Sequence, residues 1–458
     1  MIHLWPARLA VVAAGLALLL GVPTWALAES GAPPEPKTPI KHFVVLMQEG
    51  HSFDNYFGTY PGADGIPLNI CMPLNSTATA PSSCLKPYAI ADHSVESMNH
   101  TAAIFQSQYN NGQMDGFISA LQRRNQDGTV AMGYYDDSNL PYYWNIADEY
   151  VLFDRFFSST FGGDVWNRMF WVSASPGSEQ SRIPAAGYGT LPTIFDTLEQ
   201  HGISWKFYVQ NYNPQMTYRT AQAGGKLSPQ VVRAPLLAFS RFIDDPKLAD
   251  HIVDLDQYFE DLRNGTLPAV AYVASANASE NPPSSPEVGQ RLVRGMINAL
   301  MQSDAWDSSA FLVTYDSWGG WYDHVPPPQV DQYGYGFRVP ALLISPYARR
   351  GHVDSTQLDF TSILKFIEQN YGLAPLTTRD AKANSLIDAF DFSLAPRRPR
   401  FISFDRSVTK LAEPRRELIY IFYSGAIVLA GLIIAGATAA ATGRRLVPPP
   451  RATRDGAR

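Results

Sequence analysis

The sequence predicts an α/β protein built on a mostly parallel sheet with helices on both faces, and three observations carry that expectation. Apolar runs short enough to be strands alternate along the chain with helical patterns. Several runs, Phe43 to Met47 above all, are apolar at every position rather than every second one, as strands buried on both faces are. Three of them lead within a few residues to an acidic side chain, Glu49, Asp164 or Asp316, at the carboxyl end where open sheets place their ligands.

The first 28 residues read as a secretory signal: Arg8 precedes the apolar run Leu9 to Leu20, and Ala26-Leu27-Ala28 offers a small-x-small cleavage site. A Pro-rich lead-in, residues 29–38, brings the chain to the main domain, residues 39–393. Its first strand, Phe43 to Met47, is followed by Gln48-Glu49-Gly50-His51 and by a short helix with Ser52 as N-cap and Phe53, Tyr56 and Phe57 at helical spacing. The loop Tyr60 to Tyr88 holds both cysteines, Cys71 and Cys84. Outside the cell they are expected to pair, at a loop length where the chain-entropy model gives roughly 3 kcal/mol.

Helical patterns follow at His100 to Tyr109, Met114 to Gln122 and Leu140 to Tyr150. Val151 to Phe157 reads as the second strand and runs through Gly162-Gly163 to Asp164, where the helix VWNRMFWVSA begins with its free N–H groups turned toward any anion above the glycines. Helix Pro192 to His201 with strand Ile203 to Val209, and helix Leu255 to Arg263 with strand Ala269 to Val273, make two further units. Helix Pro286 to Met301 feeds the strand Phe311 to Tyr315 and then Asp316. The strand Ala341 to Ile344 and the helix Asp359 to Asn370 complete the domain. If the three acid-bearing strands are parallel neighbours, Glu49, Asp164 and Asp316 share one edge, a cluster suited to a hard divalent cation or to acid/base work.

Beyond a stalk, residues 394–417, the stretch Leu418 to Thr442 carries no charge and is long enough to span a bilayer. Arg444, Arg445, Arg451, Arg454 and Arg458 follow it, against Arg415 and Arg416 before it, so the tail 443–458 is expected in the cytoplasm and the main domain outside the cell. A formal net charge of −6 and a pI near 5.9 give no electrostatic basis for a nucleic-acid partner.

Four stretches, KHFVVLMQEGHSFDNYFGTYPGADGIP, DRFFSSTFGGDVWNR, TYDSWGGWYDHVPPP and GFRVPALLISPYARRGHVDSTQLDFTSILKFIEQNYGL, together resemble the phosphoesterase family of bacterial-type phospholipases C and related acid phosphatases. The resemblance implies a three-layer α/β/α sandwich like that of alkaline phosphatase. It also implies hydrolysis of phosphate esters, phospholipids among them, with a Ser or Thr nucleophile and a divalent metal ion held by acidic and Asn side chains. Carried over residue by residue, it assigns Glu49, Asp316 and Asp323 to metal and His100 and His324 to catalysis.

Several positions depart from the family pattern. Gly50 stands where a ligating Asn is usual, Ser317 where an acid often follows Asp316, Asn281 in place of His in SEHP, and Phe360 in place of His in DHTS. At the nucleophile position stands Asp164. The carboxylate is either the attacking group, through an acyl phosphate, or an added metal ligand that lets a bound water attack. In the third reading the site has lost turnover, and the domain serves as a surface module for phospholipid headgroups or phosphorylated glycans. Trp166, Trp318 and Trp321 are expected to pack in the core or to wall a headgroup pocket.

Overall fold

The structure, a computed structural model, describes residues 32–75, 83–91, 95–223, 228–276, 278–406 and the helix 416–443. The expected signal peptide, 1–28, and nearly all of the basic tail lie outside the described residues.

Eight strands form the central sheet: β1 (His42–Gln48), β2 (Val151–Phe153), β3 (Trp205–Val209), β4 (Ile252–Asp254), β5 (Val270–Ala274), β6 (Ser309–Tyr315), β7 (Ala341–Ile344) and β8 (His352–Asp354). Their order across the sheet is β8-β2-β7-β6-β1-β5-β3-β4. Every pairing is parallel except those of β7, which runs antiparallel to both β6 and β2. β1 lies at the centre, paired with β6 from His42↔Ser309 to Gln48↔Tyr315 and with β5 on its other side. Phe43 to Met47 are all buried, each such side chain contributing roughly 1.5–3 kcal/mol relative to exposure.

Alternation along the strands sends side chains to both faces, and helices meet them there. The labelled helices are α1 (Phe53–Phe57), α2 (Ala102–Tyr109), α3 (Pro141–Glu149), α4 (Asp164–Ser173), α5 (Asp256–Asn264), α6 (Pro286–Met301) and α7 (Phe360–Tyr371). In β3, Phe207 packs against Trp171 of α4, while its neighbour Tyr208 packs against Tyr258 of α5 on the opposite face. On the α4 side Trp171 also stacks on Tyr272 of β5, at 4.4 Å between centroids, and Phe366 of α7 meets Phe43 of β1 edge-on. α6 starts where its signals place it, with Ser285 capping Glu287 N–H and Pro286 at the first position. The layers are therefore helix, sheet, helix, as the sequence predicts.

Two expectations are corrected, and two are met. The strand from Val151 ends at Phe153; the chain then leaves the ladder, touching it again only through bridges at Phe156 and Phe157. That strand is not a neighbour of β6, because β7 lies between them, yet two antiparallel steps restore its direction and the carboxyl ends of β1, β2 and β6 face one way. Trp318 and Trp321 are fully buried: the indole N–H of Trp318 donates to Gln108 at 2.7 Å, and Trp321 stacks on His51, so both are core. The disulfide Cys71–Cys84 is formed, with 5.3 Å between Cα atoms.

A second compact unit, 403–458, contains the helix α8 (Arg416–Gly443). Among the described residues no helix is long and apolar enough to cross a membrane. The expected span Leu418 to Thr442 falls on α8, part of whose side chains lie outside the described residues.

Candidate active site

The ends of β1 and β6 are tied together before any side chain is considered. Asp316 N–H donates to the Gln48 carbonyl at 3.1 Å, and Gly50 N–H donates to Asp316 Oδ1 at 3.2 Å. Gly50 sits at φ +73°, in the left-handed region that glycine enters without strain, and this turns its N–H onto the carboxylate. Ser52 then caps α1 through Asn55 N–H. On the other strand end, Gly163 precedes α4 at φ 85°, ψ −171°, a conformation open to glycine alone, and so delivers Asp164 as the first residue of the helix. The Asn167 side chain accepts the Thr160 N–H at 2.9 Å and closes this loop.

Four of the residues singled out in the sequence come together here. Asp164 Oδ2 faces His100 Nε2 at 3.3 Å, and His100 Nδ1 lies 2.8 Å from the Met98 carbonyl. One turn along α4 from Asp164, Arg168 reaches Asp316 Oδ2 with Nε at 3.0 Å and Nη2 at 2.8 Å. Glu49 is held from the far side by Arg233, at the end of a helix over Pro229–Arg233: Nε donates to Oε1 and Nη2 to Oε2, each at 2.8 Å. The Ser279 hydroxyl donates to Glu49 Oε2, and Ser317 donates to Asp316 Oδ1 at 3.2 Å. Asp164 and His100 line a cavity of about 610 Å³ together with Asn99, Gly163, Ser181 and Val232. Asp164 Oδ1 is buried and has no hydrogen-bond partner.

Electrostatics follow from these contacts. Burial opposes the His100 imidazolium, but the Asp164 carboxylate and the Met98 carbonyl outweigh it and push the ring up to about 9. Burial likewise opposes the Asp164 charge, and His100 outweighs it, holding the carboxyl below its usual range. Asp316 moves the other way: burial and then the nearby Asp164 charge push it up, against the pull of Arg168. Because the His100 ring is raised, its charge stabilises the fold in full below pH ~6.5, and that contribution is lost as pH rises through about 9. His100→Asn is therefore expected to cost on the order of 2 kcal/mol near pH ~6 and almost nothing near pH ~10, read from urea midpoints. An equal loss at both pH values would mean that the ring contributes packing rather than charge.

Asp323 and His324 do not join this group. With Asp54 they form a second cluster whose ligand-type atoms lie within 4.8 Å of one another, a possible metal-holding group. A buried guanidinium already lies among them: Arg338 Nη2 donates to Asp54 Oδ1 at 2.9 Å and Nε to Asp323 Oδ1 at 2.9 Å. His324 Nδ1 lies 2.8 Å from Asp54 Oδ2. Burial opposes the imidazolium, and Asp54 outweighs it, so His324 is raised from its ordinary value.

The residues at Glu49 and Asp316 do not fit a divalent cation. A hard cation asks for several free oxygens, and all four oxygens of these two carboxylates accept protein donors, mostly from guanidinium groups that are always charged. Gly50 adds no side chain. Sequence reasoning missed Arg233, Arg338 and Asp54 as members of these clusters. Arg168 alone carried a local signal, its i, i+4 spacing from Asp164 on one helix face.

The chain matches the Phosphoesterase family over residues 40–374 and belongs to it. It is 28% identical over 447 residues to phospholipase C B of Mycobacterium tuberculosis, covering 84% of each chain. It is 27% identical over 432 residues to the non-hemolytic phospholipase C of Burkholderia pseudomallei, covering 77% of this chain and 59% of that protein. Among solved structures, a protein in the alkaline phosphatase superfamily from Vibrio parahaemolyticus matches over 78% of this chain and 74% of its own, with 12% identity and a TM-score of 0.36.

Proposed function

We propose, from membership of the Phosphoesterase family, that the chain is a hydrolase of phosphoric esters, with phospholipid-type phosphodiesters as substrate and Asp164 as the attacking group. The observation that carries the reading is Asp164 itself, ionised at a helix N-terminus, lining a cavity, with Oδ1 unpartnered and Oδ2 beside a charged histidine. In the first step an Asp164 oxygen bonds to phosphorus as the bond to the leaving alkoxide breaks, and the His100 imidazolium gives that oxygen its proton. Neutral His100 then takes a proton from the water that attacks the phosphorus, which releases the phosphomonoester and restores the carboxylate. The free N–H groups of the first turn of α4 face the charge on the transferring group.

A second reading, a surface module that binds phospholipid headgroups or phosphorylated glycans without turnover, is favoured by the internal pairing of Glu49 and Asp316 with arginines, which leaves those charges no partner to gain. For either reading the main domain is placed outside the cell, held by the Leu418 to Thr442 segment with the basic tail in the cytoplasm.

One experiment addresses activity and place together. Intact cells bearing the full chain should release nitrophenol from nitrophenyl phosphocholine, which does not cross membranes, and external protease should remove that activity. Activity found only after lysis would sink the placement alone. Headgroup binding without nitrophenol release, in cells and lysate alike, would leave the binding module.

A further inference from the structure

We infer that Arg233 is a built-in counter-ion which closes the Glu49–Asp316 pair to divalent metal, and that removing its guanidinium opens that pair as a metal site. This goes beyond the proposed hydrolysis and does not depend on it, because its readout is ion binding.

The geometry is that of an occupied position. The guanidinium meets both Glu49 oxygens fork to fork at 2.8 Å, the strongest arrangement an arginine and a carboxylate adopt. It is backed by Arg168, whose Nη1 donates to the Arg233 carbonyl at 3.1 Å while Nε and Nη2 hold Asp316, so the two arginines are fixed to each other as well as to the acids. The Arg233 side chain is 18% exposed and that of Glu49 13%, so water screens the pair little. Two carboxylates facing two guanidiniums leave no net charge. A divalent ion entering this group would meet two fixed positive charges at contact range and would have to displace donors from oxygens already bonded.

Without Arg233 the balance reverses. Glu49 loses two bonds and the group loses one of its two fixed positive charges, leaving the Ser279 hydroxyl on Oε2 and the more distant Arg168 Nη2 at 3.5 Å from Oε1, and the unpartnered Asp164 Oδ1 belongs to the neighbouring carboxylate whose charge is felt by Asp316. An all-oxygen set of this kind suits a hard ion such as Mn²⁺, Mg²⁺ or Ca²⁺ rather than a thiophilic one.

The test uses the full-length chain, purified in detergent and dialysed, with metal content measured by mass spectrometry and thermal melting followed with Mn²⁺, Mg²⁺, Ca²⁺ or EDTA alone. Wild type should carry no stoichiometric ion and melt at the same temperature in all four. Arg233→Met should melt lower and regain several degrees with Mn²⁺, retaining about one ion per chain. The double variant Glu49→Gln with Arg233→Met should lose that response, which separates this site from the Asp54 cluster. If Arg233→Met folds only when the ion is supplied, that too supports the inference. A wild type that holds a stoichiometric ion and loses it in Glu49→Gln overturns the inference. So does an Arg233→Met protein indifferent to every ion, or one that no ion brings to the folded state.

Discussion

Asp164→Ala is expected to lower kcat/KM on nitrophenyl phosphocholine by about three orders of magnitude or more, the scale on which removing a nucleophile acts. Asp164→Asn should fall almost as far. It keeps the size and the helix position but cannot bond to phosphorus as a carboxylate does, and it also withdraws the charge that holds His100 protonated beside it. Two observations tie this expectation to attack rather than to folding. Rapid quenching of the active protein with hydroxylamine should leave a hydroxamate on Asp164, since an acyl phosphate reacts at the carbonyl carbon, and none on the Asn variant. Asp164→Ser is the sharper comparison, because it supplies the hydroxyl that the resemblance implies at this position. In this chain a serine there would have the helix N-terminus and a His100 no longer raised by a carboxylate, with no metal ligands free beside it. Its activity should therefore fall below wild type. A rise instead would mean that the carboxylate obstructs a site built for a hydroxyl, and the binding-module reading would then describe the wild-type chain.

The fold was legible where burial is continuous. β1, β6 and β7 are apolar along most or all of their length, and α6 announces itself with a cap, a proline and an amphipathic face. The two edge strands, β4 and β8, were not seen: each has three residues with an aspartate among them, and a strand paired on one side needs no apolar run. Nor did the sequence reveal that β7 runs antiparallel, because direction leaves no trace in four apolar residues. The candidate site was legible as acids after strands. Of its cations only Arg168 left a trace, one helical turn from Asp164; Arg233 comes from a segment without periodicity and is joined to Glu49 across 184 residues. His324 was drawn into the site by its motif, and in the fold it is Asp54, 270 residues away, that holds it.

The same long-range pairing leads to the largest expected loss of stability, at Arg338. Its side chain is fully buried and bonds to Asp54, to Asp323, and to the carbonyls of Asp64 and Asp154 at 2.7 and 2.8 Å, with its guanidinium over the Phe53 ring at 4.6 Å. It thus joins α1, the chain leaving β2 and the loop beyond β6. Arg338→Met keeps much of the volume and removes the charge, leaving two buried carboxylates with only His324, beside Asp54, to offset them. Breaking a buried pair in this way costs about 3–5 kcal/mol, a large share of the roughly 5–15 kcal/mol that holds a domain together. The urea midpoint should fall accordingly, or the chain should fail to accumulate. Neutralising the partners distinguishes charge from packing: Asp54→Asn and Asp323→Asn added to Arg338→Met should recover a good part of the loss, because the penalty lies in the unpaired acids rather than in the missing contacts. If the Asp54, Asp323 and His324 cluster held a metal ion in the native protein, EDTA would lower the wild-type midpoint and the triple variant would be the weakest of all. With Arg338 already in place as the cation, EDTA should leave the midpoint where it is.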